Sequence, residues 1–183
     1  MRVTLVAFSL AILLFSCAEE ADTELEITKK LANDGDATAQ FNLGIIYADG
    51  EGVPQDLKEA EKWWRMSAEQ GHSDAQKNLG VMYNFGEGVP QDYKEAVKWW
   101  RMSADQGNAA AQWGLGMMFT NGDGVPQDYK EAFAWFSVAQ ANGDEEAKEP
   151  LSNLTNEMTK EQIADAMSLA TEIQNRIEAN KKD

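Results

Sequence analysis

The chain has 183 residues, 43% of them hydrophobic, enough for one ordinary folded domain. Its 16 Lys and Arg stand against 31 Asp and Glu, a net charge of −15. That balance argues against nucleic acid as a partner, because phosphate binding needs clustered cations, and it keeps an exposed surface soluble.

Residues 1–16 read MRVTLVAFSLAILLFS. One cation, Arg2, precedes an apolar run from Val3 to Phe15, and the acidic stretch EEADTELE follows. The run is too short to span a bilayer comfortably and reads as an export signal. Cys17, the sole cysteine, ends it in Leu14-Phe15-Ser16-Cys17. This resembles the bacterial lipoprotein cleavage box, in which the Cys becomes the lipidated amino terminus. Leu14, Ser16 and Cys17 match that box and Phe15 departs from it. The expectation is a signal peptide over 1–16, cleavage before Cys17, and a membrane anchor there. The chain then resides in the periplasm or on the outer membrane as a lipoprotein. Ordinary cleavage after Ala18 is the open alternative, and it leaves a soluble periplasmic or secreted product. A single cysteine excludes intramolecular disulfides in either case. Residues 17–36 read as an acidic linker and a capping helix, because Ala32 and Gly35 fall one period before Ala68 and Gly71.

That period is 36 residues and governs the segment from 37 to 144. Within 37–72, 73–108 and 109–144 stand AQFNLGIIYADGEGVPQD, AQKNLGVMYNFGEGVPQD and AQWGLGMMFTNGDGVPQD, each followed by a Lys-Glu-Ala helix. Repetition at this period means a stacked array with an extended surface, not an enzyme core around a central cleft. In the second unit Ala75, Leu79, Met82 and Tyr83 form one helical stripe, and Ala96, Trp99, Trp100, Ser103 and Ala104 form another. Between them Gly86 and Gly88 allow positive φ, Pro90 cannot continue the first helix, and Asp92 is placed to cap the second. Glu95, three residues on, suggests a capping box. Each unit is therefore a helical hairpin. Gly44, Gly80 and Gly116 recur inside the first helices. A mid-helix glycine costs about 1 kcal/mol relative to alanine, so its recurrence predicts close helix–helix approach. Ala39, Ala75, Ala111, Ala60, Ala96 and Ala132 extend the small-residue seam, with Tyr47, Tyr83 and Phe119 beside it.

The strings AQxxLGxxY, GxGVPQD, KEAxxWW and QG resemble the Sel1-like repeat family, relatives of tetratricopeptide repeats, over all of 37–144. The resemblance implies an all-α solenoid: a right-handed superhelix of three hairpins with terminal capping helices. It implies adaptor or scaffold roles, and in bacteria frequent export to the envelope. Some cysteine-rich members have been linked to β-lactams, but their paired cysteines are missing here.

Residues 145–183 read as C-terminal caps. A short helix carries Ala147 and Leu151 to Leu154, with Pro150 interrupting it or lying near its first turn. Thr159-Lys160-Glu161-Gln162 is a capping box. Ile163, Met167, Ala170, Ile173 and Ile177 predict the apolar face of a last helix, and the tail EANKKD is expected to fray.

Acidic residues in the turns lack the ligand spacing of a calcium loop, and their glycines suit a hairpin. No phosphate loop, His/Cys metal cluster or cofactor motif is present in the sequence, and no catalytic residue is assigned. Trp63, Trp64, Trp99, Trp100 and Trp135 recur at one position pair and read as core. The single histidine, His72, lies at a repeat junction with no nucleophile pattern beside it. Every polar repeat residue reads as a turn or cap residue.

Positions that differ between repeats are the better pointer to a ligand. They are Phe41/Lys77/Trp113, Ile45/Val81/Met117, Ala48/Asn84/Thr120 and Asp49/Phe85/Asn121. By resemblance the first helices line a concave groove, and Asn42 and Asn78 stand where related arrays hold an extended peptide backbone. The groove candidates are therefore Phe41, Asn42, Ile45, Lys77, Asn78, Val81, Asn84, Phe85, Trp113 and Met117. Mixed aromatics, amides and one Lys suit a protein or peptide better than a polyanion. The functional expectation is an envelope adaptor that is not an enzyme. The alternatives are a cell-wall- or β-lactam-related hydrolase and a regulatory subunit of an envelope enzyme.

Overall fold

A computed structural model describes residues 24–181. The signal peptide and Cys17 lie outside these residues. Helix α1 spans 24–33. Three hairpins follow: α2 (Ala37–Asp49) with α3 (Leu57–Glu69), α4 (Ser73–Phe85) with α5 (Tyr93–Ala104), and α6 (Ala109–Asn121) with α7 (Tyr129–Ala141). A 3-10 turn at Glu145–Ala147 leads into α8 (Lys148–Glu157) and then α9 (Lys160–Asn180). The described residues form helices and turns without a strand, as the periodicity predicts.

Each first helix stops at a glycine. Gly86, for example, has φ 73° and returns its N–H to the Met82 carbonyl. Asp56, Asp92 and Asp128 then cap the second helices through paired backbone N–H groups. The capping box expected at Asp92 and Glu95 is only half made. Asp92 accepts from Glu95 N–H, but its own N–H donates to the Tyr83 carbonyl at 2.9 Å, so Glu95 has nothing to accept there. Glu95 pairs with Lys98 instead. At Thr159 and Gln162 both halves of the box form.

Within a hairpin the glycine and the second tryptophan meet. A Cβ on Gly44 or Gly80 would lie 2.3 Å from the indole of Trp64 or Trp100, and one on Gly116 would lie 2.7 Å from Phe136. No side chain fits in these notches. Trp64 and Trp100 also donate Nε1–H to the carbonyls of Phe41 and Lys77, each at 3.2 Å. Ser67 and Ser103 tie the far end of the first two hairpins by donating to the carbonyls of Ala37 and Ser73.

Between hairpins the contact is polar and buried. Gln40, Gln76 and Gln112 are at most 1% exposed. Each donates Nε2–H to a carbonyl of the preceding element, Ala32, Ala68 or Ala104, at 3.0–3.1 Å. Each accepts from the amide that ends its own hairpin: Gln70, Gln106 or Asn142. These glutamines are thus neither turn nor cap residues, contrary to the expectation from sequence. A helix junction buries carbonyls, and a long amide reaches them while an alanine seam keeps the helices close.

Both ends reuse this chemistry. Ala32 of α1 serves as the acceptor a preceding hairpin would supply. At the other end Asn142 also donates to Gln174 of α9 at 3.3 Å. Helix α9 packs on α7 through Ala166, Ile173 and Ile177, while Met167 is 59% exposed. The apolar face therefore follows Ile163, Ala166, Ala170, Ile173 and Ile177, and Met167 falls off it. Alternating steps of three and four residues track one helix face, and the step to Ala166 rather than Met167 keeps that alternation. Pro150 lies in the first turn of α8, where its missing N–H leaves no helix bond unmade.

Gly80→Leu should destabilise the array by about 1–3 kcal/mol or more, because the Trp100 ring occupies the space a side chain would need and is held there by its bond to the Lys77 carbonyl. A urea melt unchanged from the parent would contradict the notch. Gln112→Leu should cost about 1–3 kcal/mol by removing two buried hydrogen bonds, one to the Ala104 carbonyl and one from the Asn142 amide. The same melts would show it.

Candidate functional site

The variable positions converge most closely between the second and third hairpins. Here α4 and α6 are neighbours. A cavity of about 480 Å³ opens between them, with Lys77, Val81, Asn84 and Phe85 on one wall and Trp113, Met117 and Asn121 on the other. Trp100, Gly114 and Met118 form its floor, and Gln91, Tyr93, Ala110 and Asp123 also line it. Phe85, the last residue of α4, is 65% exposed although large and apolar. A second cavity, about 740 Å³, shares Trp113 and Met117 and continues to Tyr129, α8 and the turn before it. Its far side carries Glu145, Glu146, Glu149 and Glu157, with Lys148 among them.

Six of the ten sequence candidates thus line one cavity: Lys77, Val81, Asn84, Phe85, Trp113 and Met117. Asn42 and Ile45 line a separate one, about 410 Å³, against α1 at the other end of the array. Phe41 stacks on His72 with ring centroids 4.6 Å apart. Asn78 is half-buried and lines none of these three cavities. The third-repeat counterpart of Asn42 and Asn78 is Gly114, and a Cβ there would lie 2.9 Å from the Trp100 ring. No amide can follow at that position, so a regular ladder of backbone-holding amides does not extend into the third hairpin.

Trp113 has two roles. It forms part of both larger cavities, and its ring meets Phe136 edge-on at 6.4 Å. Phe136 stands where the other hairpins have Trp64 and Trp100, so the smaller ring is backed by a larger neighbour. Trp63, Trp64, Trp99, Trp100 and Trp135 are all buried, in agreement with the core reading.

His72 is occupied structurally. Its Nδ1 accepts from Ala75 N–H at the start of α4, and Phe41 covers its ring. The most perturbed ionisable cluster lies elsewhere, on α3 and α4. Burial pushes the Tyr83 phenol above its ordinary value, while its hydroxyl donates to Glu61 and accepts from Arg65. Arg65 also pairs with Glu61 and lies over the Trp99 ring at 5.8 Å. This cluster staples adjacent hairpins and lines none of the three cavities. Among the described residues no group of three or more His, Cys, Asp or Glu is placed to hold a metal ion. None of the described helices is long and apolar enough to cross a membrane.

The geometry defines a class: a helical-hairpin solenoid whose paired helices share the core and whose first helices also line an open, mixed aromatic and polar groove. Sel1 repeat models match residues 37–72, 73–108 and 109–144, and the chain belongs to the Sel1 repeat family. Proteins of this fold are generally scaffolds for protein–protein interaction. A Sel1 repeat protein from Oxalobacter formigenes is 39% identical, with a TM-score of 0.66 over 71% of this chain and 98% of that one. The protein c5321, described as a protective antigen present in uropathogenic Escherichia coli strains and displaying an SLR fold, is 37% identical with a TM-score of 0.71. That match takes in 81% of this chain and 33% of c5321, so this chain corresponds to about a third of it. No curated protein matches.

Trp99→Ala should cost about 3–5 kcal/mol as a core truncation. Trp113→Ala should cost measurably less, because its indole is only partly buried. Paired urea melts decide between them, and equal losses would assign Trp113 wholly to the core.

Proposed function

We propose that this chain is a protein- or peptide-binding adaptor of the bacterial cell envelope. The observation that carries this reading is Phe85. A large apolar side chain stands mostly in solvent at the rim of a cavity built from positions that differ between repeats. Residues that hold the stack largely recur in all three hairpins, and among the divergent ones Phe85 stands mostly free to meet a partner. An exposed aromatic beside a half-buried one is the kind of anchor that dominates binding energy. The contacts suit an extended segment or a helix edge lying across α4 and α6.

Phe85→Ala and Lys77→Ala should each reduce capture of a partner from envelope extracts severalfold and leave the thermal melt nearly unchanged. Met66→Ala, on the second helix of the first hairpin, should change neither. Undiminished capture by Phe85→Ala would remove the groove from consideration.

The envelope location rests on the export signal read in residues 1–16 and on the lipoprotein-like box at Cys17. The description of c5321 as a protective antigen supports an exported reading. Stable anchoring needs more than one acyl chain, which a lipidated amino-terminal Cys carries. Cys17→Ser should therefore shift the protein from the membrane to the soluble fraction or block its processing. A parent protein that is already soluble after lysis would favour cleavage after Ala18.

A further inference from the structure

The groove is not electrically uniform. Its inner part, between α4 and α6, carries Lys77 and Asp123, which offset each other. Its outer part, against α8, sets four glutamates against the single Lys148, and Lys148 is already paired with Glu145. Trp113 and Met117 form a wall common to both parts, so one segment can cross from one to the other. The aromatic residues Trp113 and Tyr129 stand in the acidic part.

We infer that the occupant is an extended peptide segment with an apolar side chain followed, a few residues away, by Lys or Arg. The assignment rests on the adaptor reading above and specifies the partner's chemistry. The apolar side chain fills the space beside Phe85, Val81 and Met117. The cation enters the outer part, where Glu149 and Glu157 supply acceptors and the aromatic faces favour a guanidinium or ammonium. An acidic segment would meet uncompensated carboxylates and be repelled. The outer cavity's size, about 740 Å³, accommodates a long basic side chain with its flanking backbone.

The test is a selection of phage-displayed random dodecapeptides on the purified full chain. Glu149→Gln/Glu157→Gln serves as the groove variant. Glu161→Gln/Glu172→Gln, on the exposed surface of α9, removes the same charge elsewhere. Selected peptides should pair an apolar residue with Lys or Arg. Synthetic copies should bind the groove variant about tenfold more weakly in fluorescence anisotropy and bind the α9 variant as they bind the parent. Their affinity should fall as salt is raised. Peptides enriched without Lys or Arg, yet lost in Phe85→Ala, would overturn the cation assignment and leave the adaptor reading standing. Peptides insensitive to Phe85→Ala, or no enrichment at all, would overturn both. A dimer of the parent that the groove variant dissolves would make a second copy the occupant and overturn the peptide assignment.

Discussion

The second aromatic ring of each hairpin, the indole of Trp64 or Trp100 and the phenyl ring of Phe136, rests in a notch that only glycine can leave open, and the rest of the array depends on that contact. A ring seated against a helix backbone fixes the separation and rotation of two helices at once. The indole N–H then bonds a carbonyl of the same first helix, so its polar tip is satisfied while its body is buried. A mid-helix glycine costs about 1 kcal/mol in propensity, and the ring it admits removes enough apolar surface from water to outweigh that. With the inner side of each first helix committed in this way and its glutamine committed to the junction, the positions facing away from both are the ones that differ between repeats.

The junctions between hairpins obey a different rule. They are held by glutamine side chains that bridge the alanine seam and satisfy carbonyls that water cannot reach. Buried amides of this kind specify register, because a slip of one residue would leave several polar groups unpaired together. Helix α1 and the Asn142–Gln174 pair extend the same bonding to the two ends, so the array closes without new chemistry.

The hairpins, their caps and the glycine seam were legible in the sequence because each has a local signature that recurs three times. The buried glutamines were not. Gln next to Ala in a helix looks like a surface residue, and only the geometry of the next hairpin shows the carbonyl it must reach. Recurrence was the available signal: a glutamine kept at one place in all three units has a partner that also recurs. The groove was legible in part. Divergence between repeats pointed to Lys77, Phe85, Trp113 and Met117, but it could not tell that Phe41 would be closed over by His72. The acidic outer part was missed because its glutamates come from α8 and the turn before it, outside the repeating segment, where no comparison between units can be made.

Separating a repeated interior from a varied surface has a consequence for how such a chain changes over generations. Since each junction is made of the same alanine and glutamine groups, a hairpin can be lost or duplicated as a block and the neighbours will still join. Without residues 73–108, for example, Gln112 would find the Ala68 carbonyl where it now finds Ala104, and Trp113 would face Phe41 and Ile45 rather than Lys77 and Val81. The alanine and glutamine seam would survive the event, although Phe119 would stand where the Tyr83 hydroxyl now meets Glu61 and Arg65, and the groove wall that α4 supplies would be replaced. Recognition can therefore be reshuffled in steps of 36 residues while the shared seam between hairpins is kept.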